Sequence, residues 1–283
     1  MGQKIDVKAI VESNKEVLSR KIKKLSENNI TPKLAVILAN DDDASKLYVS
    51  KKKKLCDELG ILQKEYILDK IVTTENILNI INELNNDESV DGILVQLPLF
   101  KHLNEERIID AISPLKDVDG FHPLNLGKLF IGKETITSCT PKGIMTILDN
   151  LGVDLVGKNA VVVGRSVIVG KPMAHLLLKR GATVTICHSK TKDLSSHTKN
   201  ADVLVVATGV PGLITKDMVK PNSIIIDVGI NKVEGKVVGD VKTDEVEKVV
   251  EYITPVPGGV GITTVLSLIE NLVDIASKRM ENN

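Results

Sequence analysis

A chain of 283 residues, 42% hydrophobic and 26% charged, is long enough for about two globular domains with real cores. Its 37 Lys+Arg balance 37 Asp+Glu, which argues against a general nucleic-acid binder, since such proteins carry a basic excess. Aromatics at 2% and the absence of Trp leave no stacking platform for single strands.

Cys56, Cys139 and Cys187 are odd in number and show no CxxC spacing. A disulfide framework or a zinc site has no support, and a reducing compartment fits. The opening MGQKIDVKAIVESNKEV is polar and amphipathic, unlike a secretory signal. Gly2 is followed at position 6 by Asp, where myristoylation needs Ser or Thr. No apolar run reaches membrane-spanning length. The five histidines lack metal-ligand spacing, so no metal is expected. The expected compartment is the cytoplasm, with neither nucleic acid nor membrane as a partner.

In chain order, KLAVILA (33–39) reads as a buried strand and 45–59 as a helix. EYILDKI (65–71) reads as a strand, 75–85 as a helix, and DGILVQLPL (91–99) as a strand stopped by Pro98. NEERIIDAI (104–112) follows as a helix with Asn104 as N-cap. After a loop-rich junction at 114–143, a second series begins. KNAVVVG (158–164), ATVTIC (182–187), ADVLVVAT (201–208) and SIIIDVG (223–229) read as strands, with a helix over 170–180. The stretch 262–278 places Val265, Leu268, Ile269, Leu272 and Ile275 at three- and four-residue steps, an amphipathic helix. This alternation gives parallel sheets covered by helices. Two α/β domains meeting near 114–143 are expected, and a cleft between them is the default site.

The run Lys51–Lys54 raises the question of whether one lysine differs from its neighbours. With Leu47 set at zero, Leu55, Tyr48, Leu59 and Cys56 fall at about 80°, 100°, 120° and 180°. Lys52, at about 140°, lies inside that apolar face, Lys51 lies at its edge, and Lys53 and Lys54 point away. Tyr48 and Lys52, four residues apart, are helix neighbours. A lysine on the buried side either snorkels to the surface or works, because burial disfavours an ammonium's charge and suits it to proton transfer.

VVVGRSVIVGKPMAHLL follows a strand and opens a helix. It departs from GxGxxG: Ser166 replaces the second glycine and Gly170 is displaced by one. A strand–turn–helix still offers N–H groups and a helix dipole to a pyrophosphate, and Arg165 adds a cation. A plain βα turn is the alternative. The next strand ends in CHSKTK (187–192). NAD sites place an acid about 20 residues after the glycines; here hydroxyls and cations, Ser189 among them, favour NADP. Gln96 sits in an apolar strand just before Pro98, where a buried amide needs a partner that Lys52 can supply. Asp117 and Asp119 lie in the junction, either in a plain turn or offering a carboxylate to a nitrogen heterocycle. TPVPGGVGITT (254–264) is another glycine turn that allows close approach to a ligand.

Together these segments resemble the bifunctional methylenetetrahydrofolate dehydrogenase/cyclohydrolase family. The matches are ASKLYVSKKKKLCDELGI, DGILVQLPL, KDVDGFHPLNLGKL, CTPKGI, VVVGRSVIVGKP, TICHSKT, ADVLVVATG, IIIDVGIN and PVPGGVGITTV, in family order from about residue 33 to 272. The resemblance implies an α/β fold of two domains with the active-site cleft between them. Residues 1–120 would form the N-terminal catalytic and folate domain, with helix 262–283 packing back on it. Residues 140–261 would form the Rossmann-like NADP-binding domain.

The resemblance also implies a homodimer that uses NADP and tetrahydrofolate derivatives. By motif, Lys52 is the catalytic lysine, Tyr48 its neighbour over the folate, Gln96 its orienter and Asp119 the grip on the pterin. Val49, Ser50, Lys51, Val95, Leu97 and the turn of Pro257, Gly258, Gly259, Val260 and Gly261 would complete the folate site. Gly164, Arg165, Ser166, Ser189 and Ile230 would hold NADP. One departure stands out: after GGVG the family continues Pro-Met-Thr, and this chain has Ile262-Thr263-Thr264. Loss of that proline is expected to free the start of the helix. The competing readings are another two-domain NADP dehydrogenase of the shikimate-dehydrogenase type and a non-catalytic NADP-binding sensor.

Overall fold

The computed structural model describes residues 2–281. The chain runs β1 (Gln3–Lys4), α1 (Val7–Glu27), β2 (Lys33–Leu38), α2 (Asp43–Leu59), β3 (Leu62–Ile67), α3 (Thr74–Asn86), β4 (Gly92–Gln96), α4 (Glu105–Asp110), α5 (Pro123–Phe130) and α6 (Cys139–Asn150). It continues with β5 (Asn159–Val163), α7 (Gly170–Lys179), β6 (Thr183–Cys187), α8 (Leu194–Thr198), β7 (Val203–Val206) and β8 (Ile224–Asp227). The last elements are β9 (Asn231–Val233), β10 (Lys236–Val238), α9 (Thr243–Val246), β11 (Tyr252–Ile253) and α10 (Val260–Glu281).

The chain folds as two compact units, Asn14–Cys139 with Ser267–Asn283, and Met1–Ser13 with Thr140–Leu266. This division departs from the expected boundaries at the N-terminus. β1 pairs in parallel with β11, Gln3 opposite Tyr252, so the first thirteen residues go with the larger sheet. The junction also departs from expectation, because it contains α5 and the start of α6. Pro123 opens α5 from its first turn, with His122 Nδ1 accepting from the Leu124 N–H at 3.1 Å.

In the first unit three parallel strands lie in the order β3-β2-β4. Ala35, Ile37, Ile93 and Val95 face a core with Ile77, Ile81 and Leu84 of α3 and Ile108 of α4. α2 starts where Asp42 Oδ2 accepts from the Ser45 N–H at 2.8 Å and stops at Gly60, φ +69°. α3 is capped one residue earlier than expected, by Thr73, which exchanges hydrogen bonds with Asn76. The expected strand 65–71 slides back to Leu62–Ile67, because Leu62 and Ile67 pair with Lys33 and Leu38 of β2 and Asp69 turns the chain, its Oδ1 accepting from the Ile71 N–H.

In the second unit six parallel strands lie in the order β1-β11-β8-β7-β5-β6. The continuous apolar runs β5, β7 and β8 are buried on both faces, as interior strands of a parallel sheet must be. Ala160, Val162, Val203, Val205, Ile224 and Ile226 point into one core, with Met173 and Leu177 of α7. Val161, Val163, Leu204, Val206 and Ile225 point into the other. The hairpin of β9 and β10 was not read from the sequence; Glu234 and Gly235, both at positive φ, make its turn. α10 is long and apolar enough to span a membrane, but Leu266, Leu268, Ile269, Leu272 and Val273 are buried in protein, which makes it a core helix.

Candidate active site

In an open α/β sheet, ligands bind at the carboxyl ends of strands where the strand order reverses. In the three-stranded sheet that point lies at the ends of β2 and β4, because β3 goes to one side of β2 and β4 to the other. β2 leads into α2 and β4 ends at Gln96. Between these strand ends, Lys52 Nζ donates to Gln96 Oε1 at 3.0 Å. The Gln96 amide is held from its other side, where Nε2 donates to the Leu97 carbonyl at 2.8 Å. Asn40, a polar residue closing an apolar run, ties the two loops: its Nδ2 donates to the Pro98 carbonyl at 2.6 Å and its Oδ1 accepts from the Asp42 N–H.

Lys52 is 7% exposed while Lys51, Lys53 and Lys54 are exposed. The wheel picked out the lysine that is buried, but it placed Leu47 wrongly, since Leu47 is 55% exposed. The buried stripe is Ser45, Val49, Lys52 and Cys56. On the same wheel these fall at about 160°, 200°, 140° and 180°, opposite Leu47. The neighbouring lysines have other tasks. Lys51 Nζ lies 5.6 Å from the centroid of the Tyr48 ring, and Lys53 pairs with Glu65 at 3.1 Å. Tyr48 is half-buried, and burial pushes its phenol above the usual range. Burial, aided by Asp57 and opposed by Lys52, pushes the Cys56 thiol up to about 12, so it stays neutral below Lys52 on the helix. Val49 and Val95 are buried and Leu97 half-buried, while Ser50 is exposed.

The two aspartates of the junction part company. Asp117 is 2% exposed and its carboxylate is occupied by the loop itself. Oδ1 accepts from the Gly120 N–H at 3.1 Å; Oδ2 accepts from the His122 N–H at 2.8 Å and the Asn125 Nδ2 at 2.9 Å. Segment 116–118 runs beside β4, with Asp117 bridged to Ile93. Asp119 therefore lies further along toward the Gln96 end. Burial pushes its carboxyl up to about 6, against the nearby Lys52, with Asp117 adding to the rise. This unit thus gathers a buried lysine, a fixed amide, a phenol and a carboxyl poised near neutrality.

The second unit has its own reversal point, beside β5, where β6 lies on one side and β7 on the other. Gly164 follows β5 at φ +135°, and a Cβ there would lie 2.3 Å from the Ala207 carbonyl oxygen. Gly170 opens α7, and its Cβ would meet the Gly164 carbonyl oxygen at 2.2 Å. The displaced glycine therefore still lets the helix press against the strand end. Ser166 Oγ accepts from the Val169 and Gly170 N–H groups at 3.1 and 3.3 Å. Arg165, Ser166, Ser189 and Ile230 are exposed. The loop that carries Ser189 is shaped by the Thr191 hydroxyl, which accepts from the His188 N–H at 2.8 Å.

Sequence reading missed a pair of buried acids at this sheet edge. Asp227 ends β8 and accepts from the N–H groups of Gly229, Asp240 and Val241. Asp240 accepts from the Thr208 and Gly209 N–H groups and from Asn231 Nδ2. Burial pushes the Asp227 carboxyl up to about 6, against its three N–H donors. The only sequence signal was an acid terminating the apolar run SIIID. In the turn before α10, Pro257 is exposed and Val260 is buried; Gly258 adopts φ +93°, and a Cβ on Gly259 would lie 2.2 Å from the Pro255 carbonyl oxygen. The expected loosening at Ile262 does not occur. Its N–H, which proline would lack, donates to the Gly259 carbonyl at 3.1 Å, and the Thr263 and Thr264 hydroxyls donate to the Val260 carbonyl.

Comparison with known proteins bears on both units. The model of the tetrahydrofolate dehydrogenase/cyclohydrolase catalytic domain matches residues 5–119, and that of the family's NAD(P)-binding domain matches residues 138–280. The chain belongs to the tetrahydrofolate dehydrogenase/cyclohydrolase family. It is 51% identical over 275 residues to the bifunctional protein FolD of Halothermothrix orenii, covering 96% of this chain and 97% of that one. Among solved structures it is similar to the bifunctional FolD of Campylobacter jejuni, with a TM-score of 0.96 at 49% identity, covering 99% and 100% of the two chains. It is also similar to the methylenetetrahydrofolate dehydrogenase-cyclohydrolase of Trypanosoma brucei, solved with NADP cofactor and an inhibitor, with a TM-score of 0.94 at 34% identity and coverage of 99% and 98%. The fold is accordingly two-domain α/β, with a catalytic and an NAD(P)-binding domain. A dehydrogenase of the shikimate type accounts for no match to the folate catalytic-domain model.

Proposed function

We propose that the chain carries out two consecutive reactions on a folate-bound one-carbon unit. The first is NADP-dependent oxidation of 5,10-methylenetetrahydrofolate to 5,10-methenyltetrahydrofolate. The second is hydrolysis of that product to 10-formyltetrahydrofolate. The single observation that carries the reading is a lysine buried to 7% exposure with its Nζ on a fixed amide oxygen 3.0 Å away. An exposed lysine serves affinity; a buried, oriented one serves proton transfer.

The methenyl carbon is cationic, so water adds to it once a proton is removed. Opening to the 10-formyl product then breaks the bond to N5, which takes a proton, while the carbinol hydroxyl releases its own to solvent as the formyl C=O forms. Lys52, as the neutral amine, receives the first proton and, as the ammonium so formed, returns it to nitrogen. Gln96 aims it: its Nε2 is committed to the Leu97 carbonyl, so its Oε1 stays toward Nζ. Asp119 accepts paired N–H groups of the pterin, a role for which its neighbour Asp117, with both oxygens already accepting from its own loop, is less free. Tyr48 gives the folate an aromatic wall that Lys51 backs. Val49, Ser50, Val95 and Leu97 shape the surroundings.

The residues at the β5 edge fit a dinucleotide. Gly164 and Gly170 have no room for a side chain, and Arg165 and Ser166 are exposed at the strand–helix turn, where a pyrophosphate binds. Ser189, Lys190 and Lys192 are exposed with no acid in that stretch, which suits the 2′-phosphate of NADP. Ile230 offers an apolar contact. When bound, NADP⁺ accepts the hydride from the methylene carbon; the protein's part is alignment. A cytoplasmic location and a homodimeric state belong to the same proposal, on the strength of the family resemblance.

The test is Lys52→Met assayed with methylenetetrahydrofolate and with NADP⁺ and NAD⁺ in parallel, following reduced nicotinamide and methenyl absorbance separately. Hydrolysis should fall by about 100-fold or more, with folate binding and part of the dehydrogenase activity retained and NADP⁺ preferred. Hydrolysis at the parental rate refutes the role of Lys52, and parental-level turnover with NAD⁺ refutes the cofactor.

A further inference from the structure

The carboxyl proposed to grip the pterin is carried between two peptide planes, each held by a hydrogen bond. Asp119 lies between two peptide planes, and their orientation fixes its φ and ψ and hence the direction of its side chain. The plane from Asp119 to Gly120 is held by the Gly120 N–H, which donates to Asp117 Oδ1 at 3.1 Å. The Gly120 carbonyl accepts from the Ser138 hydroxyl at 3.2 Å. Gly120 itself, at φ +71°, packs so closely on residues 137 and 138 that a Cβ would lie 2.7 Å from the Ser138 nitrogen.

The plane from Val118 to Asp119 is held from α10. Asn271 is 4% exposed, and its Nδ2 donates to the Val118 carbonyl at 2.9 Å and to the Thr137 carbonyl at 2.9 Å. The Cys139 thiol donates to the same Val118 oxygen at 3.3 Å, and its sulfur lies 3.7 Å from Asn271 Nδ2. One side-chain amide thus joins the strand beside β4 to the returning segment before α6. Without the amide the Thr137 carbonyl would lose this donor, and the Val118 carbonyl would keep only the weak Cys139 thiol.

We propose that Asn271 is a positioning residue for pterin recognition, acting through the Val118 peptide to set the direction of the Asp119 carboxylate. The inference rests on the reading of Asp119 given above. A planar heterocycle that donates two N–H groups to one carboxylate tolerates misalignment of about 10–20°. A peptide plane that loses Asn271 at Val118 is freer to turn, and turning it re-aims the carboxylate without altering its charge.

The test is a double-mutant cycle with Asn271→Leu and Asp119→Asn, read as KM for methylenetetrahydrofolate and, separately, KM for NADP⁺. Asn271→Leu should raise the folate KM about tenfold, the scale of one well-made hydrogen bond to substrate, with the NADP⁺ KM unmoved. In the Asp119→Asn background it should add nothing further, because there is no carboxylate left to aim. Asn271→Ser, whose hydroxyl keeps one donor, should recover part of the loss and serves where the leucine variant does not fold. An unchanged folate KM in Asn271→Leu, or an equal rise in both backgrounds, overturns the proposal. If Asp119→Asn alone leaves the folate KM where it was, the reading of Asp119 falls and the positioning role falls with it.

Discussion

At the scale of single residues, Asp119 makes the sharpest claim. Its carboxyl titrates at about 6, and only the ionised form presents both oxygens as acceptors to paired N–H groups. Above that pH the grip is complete; as pH falls through it, the carboxyl gains a proton and one acceptor is lost. kcat/KM for methylenetetrahydrofolate should therefore decline below about pH 6, approaching tenfold per unit. Asp119→Asn should erase that inflection while lowering the plateau. A wild-type profile flat from about pH 5 to 8 would remove Asp119 from substrate recognition. The sequence could not have separated Asp119 from Asp117. Both stand in one turn-like stretch, and what divides them is that three loop donors, Gly120, His122 and Asn125, converge on Asp117. Lys52 was legible because a helix wheel encodes burial. Its partner Gln96 was legible as a polar interruption in an apolar strand.

At the scale of elements, legibility followed periodicity only in part, since the 21-residue α1 and the 12-residue α6 went unread. The long apolar strands and the helices α2, α3, α7 and α10 were visible, because burial on one or both faces writes a period into the sequence. The short pieces were not: α5 begins at a proline inside a polar junction, and β9 and β10 have three residues each, too few to show a period. The turn between β5 and α7 is a different case, where the motif fails as a pattern and succeeds as geometry. Gly164 is at φ +135° with no space for a Cβ, a conformation that costs an alanine about 1–3 kcal/mol before any overlap. Gly164→Ala should then displace the strand–helix turn from Ala207 and weaken NADP binding about tenfold or more, with a lower Tm. Isothermal titration with NADP⁺ measures it, and a Kd within about twofold of the parent would show that the turn does not hold the dinucleotide.

At the scale of the whole molecule, each parallel sheet buries its interior strands and gathers its candidate site residues at the carboxyl edge, beside the strand where the order reverses. In the larger sheet that edge is closed by Asp227, 1% exposed, which gathers the loops after β8 and after β10 through three N–H groups. Its carboxyl titrates at about 6 when folded, mainly because burial disfavours the charge, against about 3.9 in an unfolded chain. The folded state therefore holds this proton more tightly than the unfolded one. The group costs nothing at pH values below the unfolded pKa, and it costs progressively more as pH rises to about 6. The full penalty of about 3 kcal/mol persists above that. Asp227→Asn removes the charge but turns an NH₂ toward a backbone N–H, a loss of about 1–3 kcal/mol that does not vary with pH. The stability deficit of the variant relative to the parent should thus be largest near pH 4 and shrink by about 3 kcal/mol toward pH 7, becoming small or changing sign. Urea denaturation of both proteins across that range measures the difference. A deficit constant with pH would mean that the carboxyl ionises in the folded protein as easily as in the unfolded chain, and that its three donors fully offset burial.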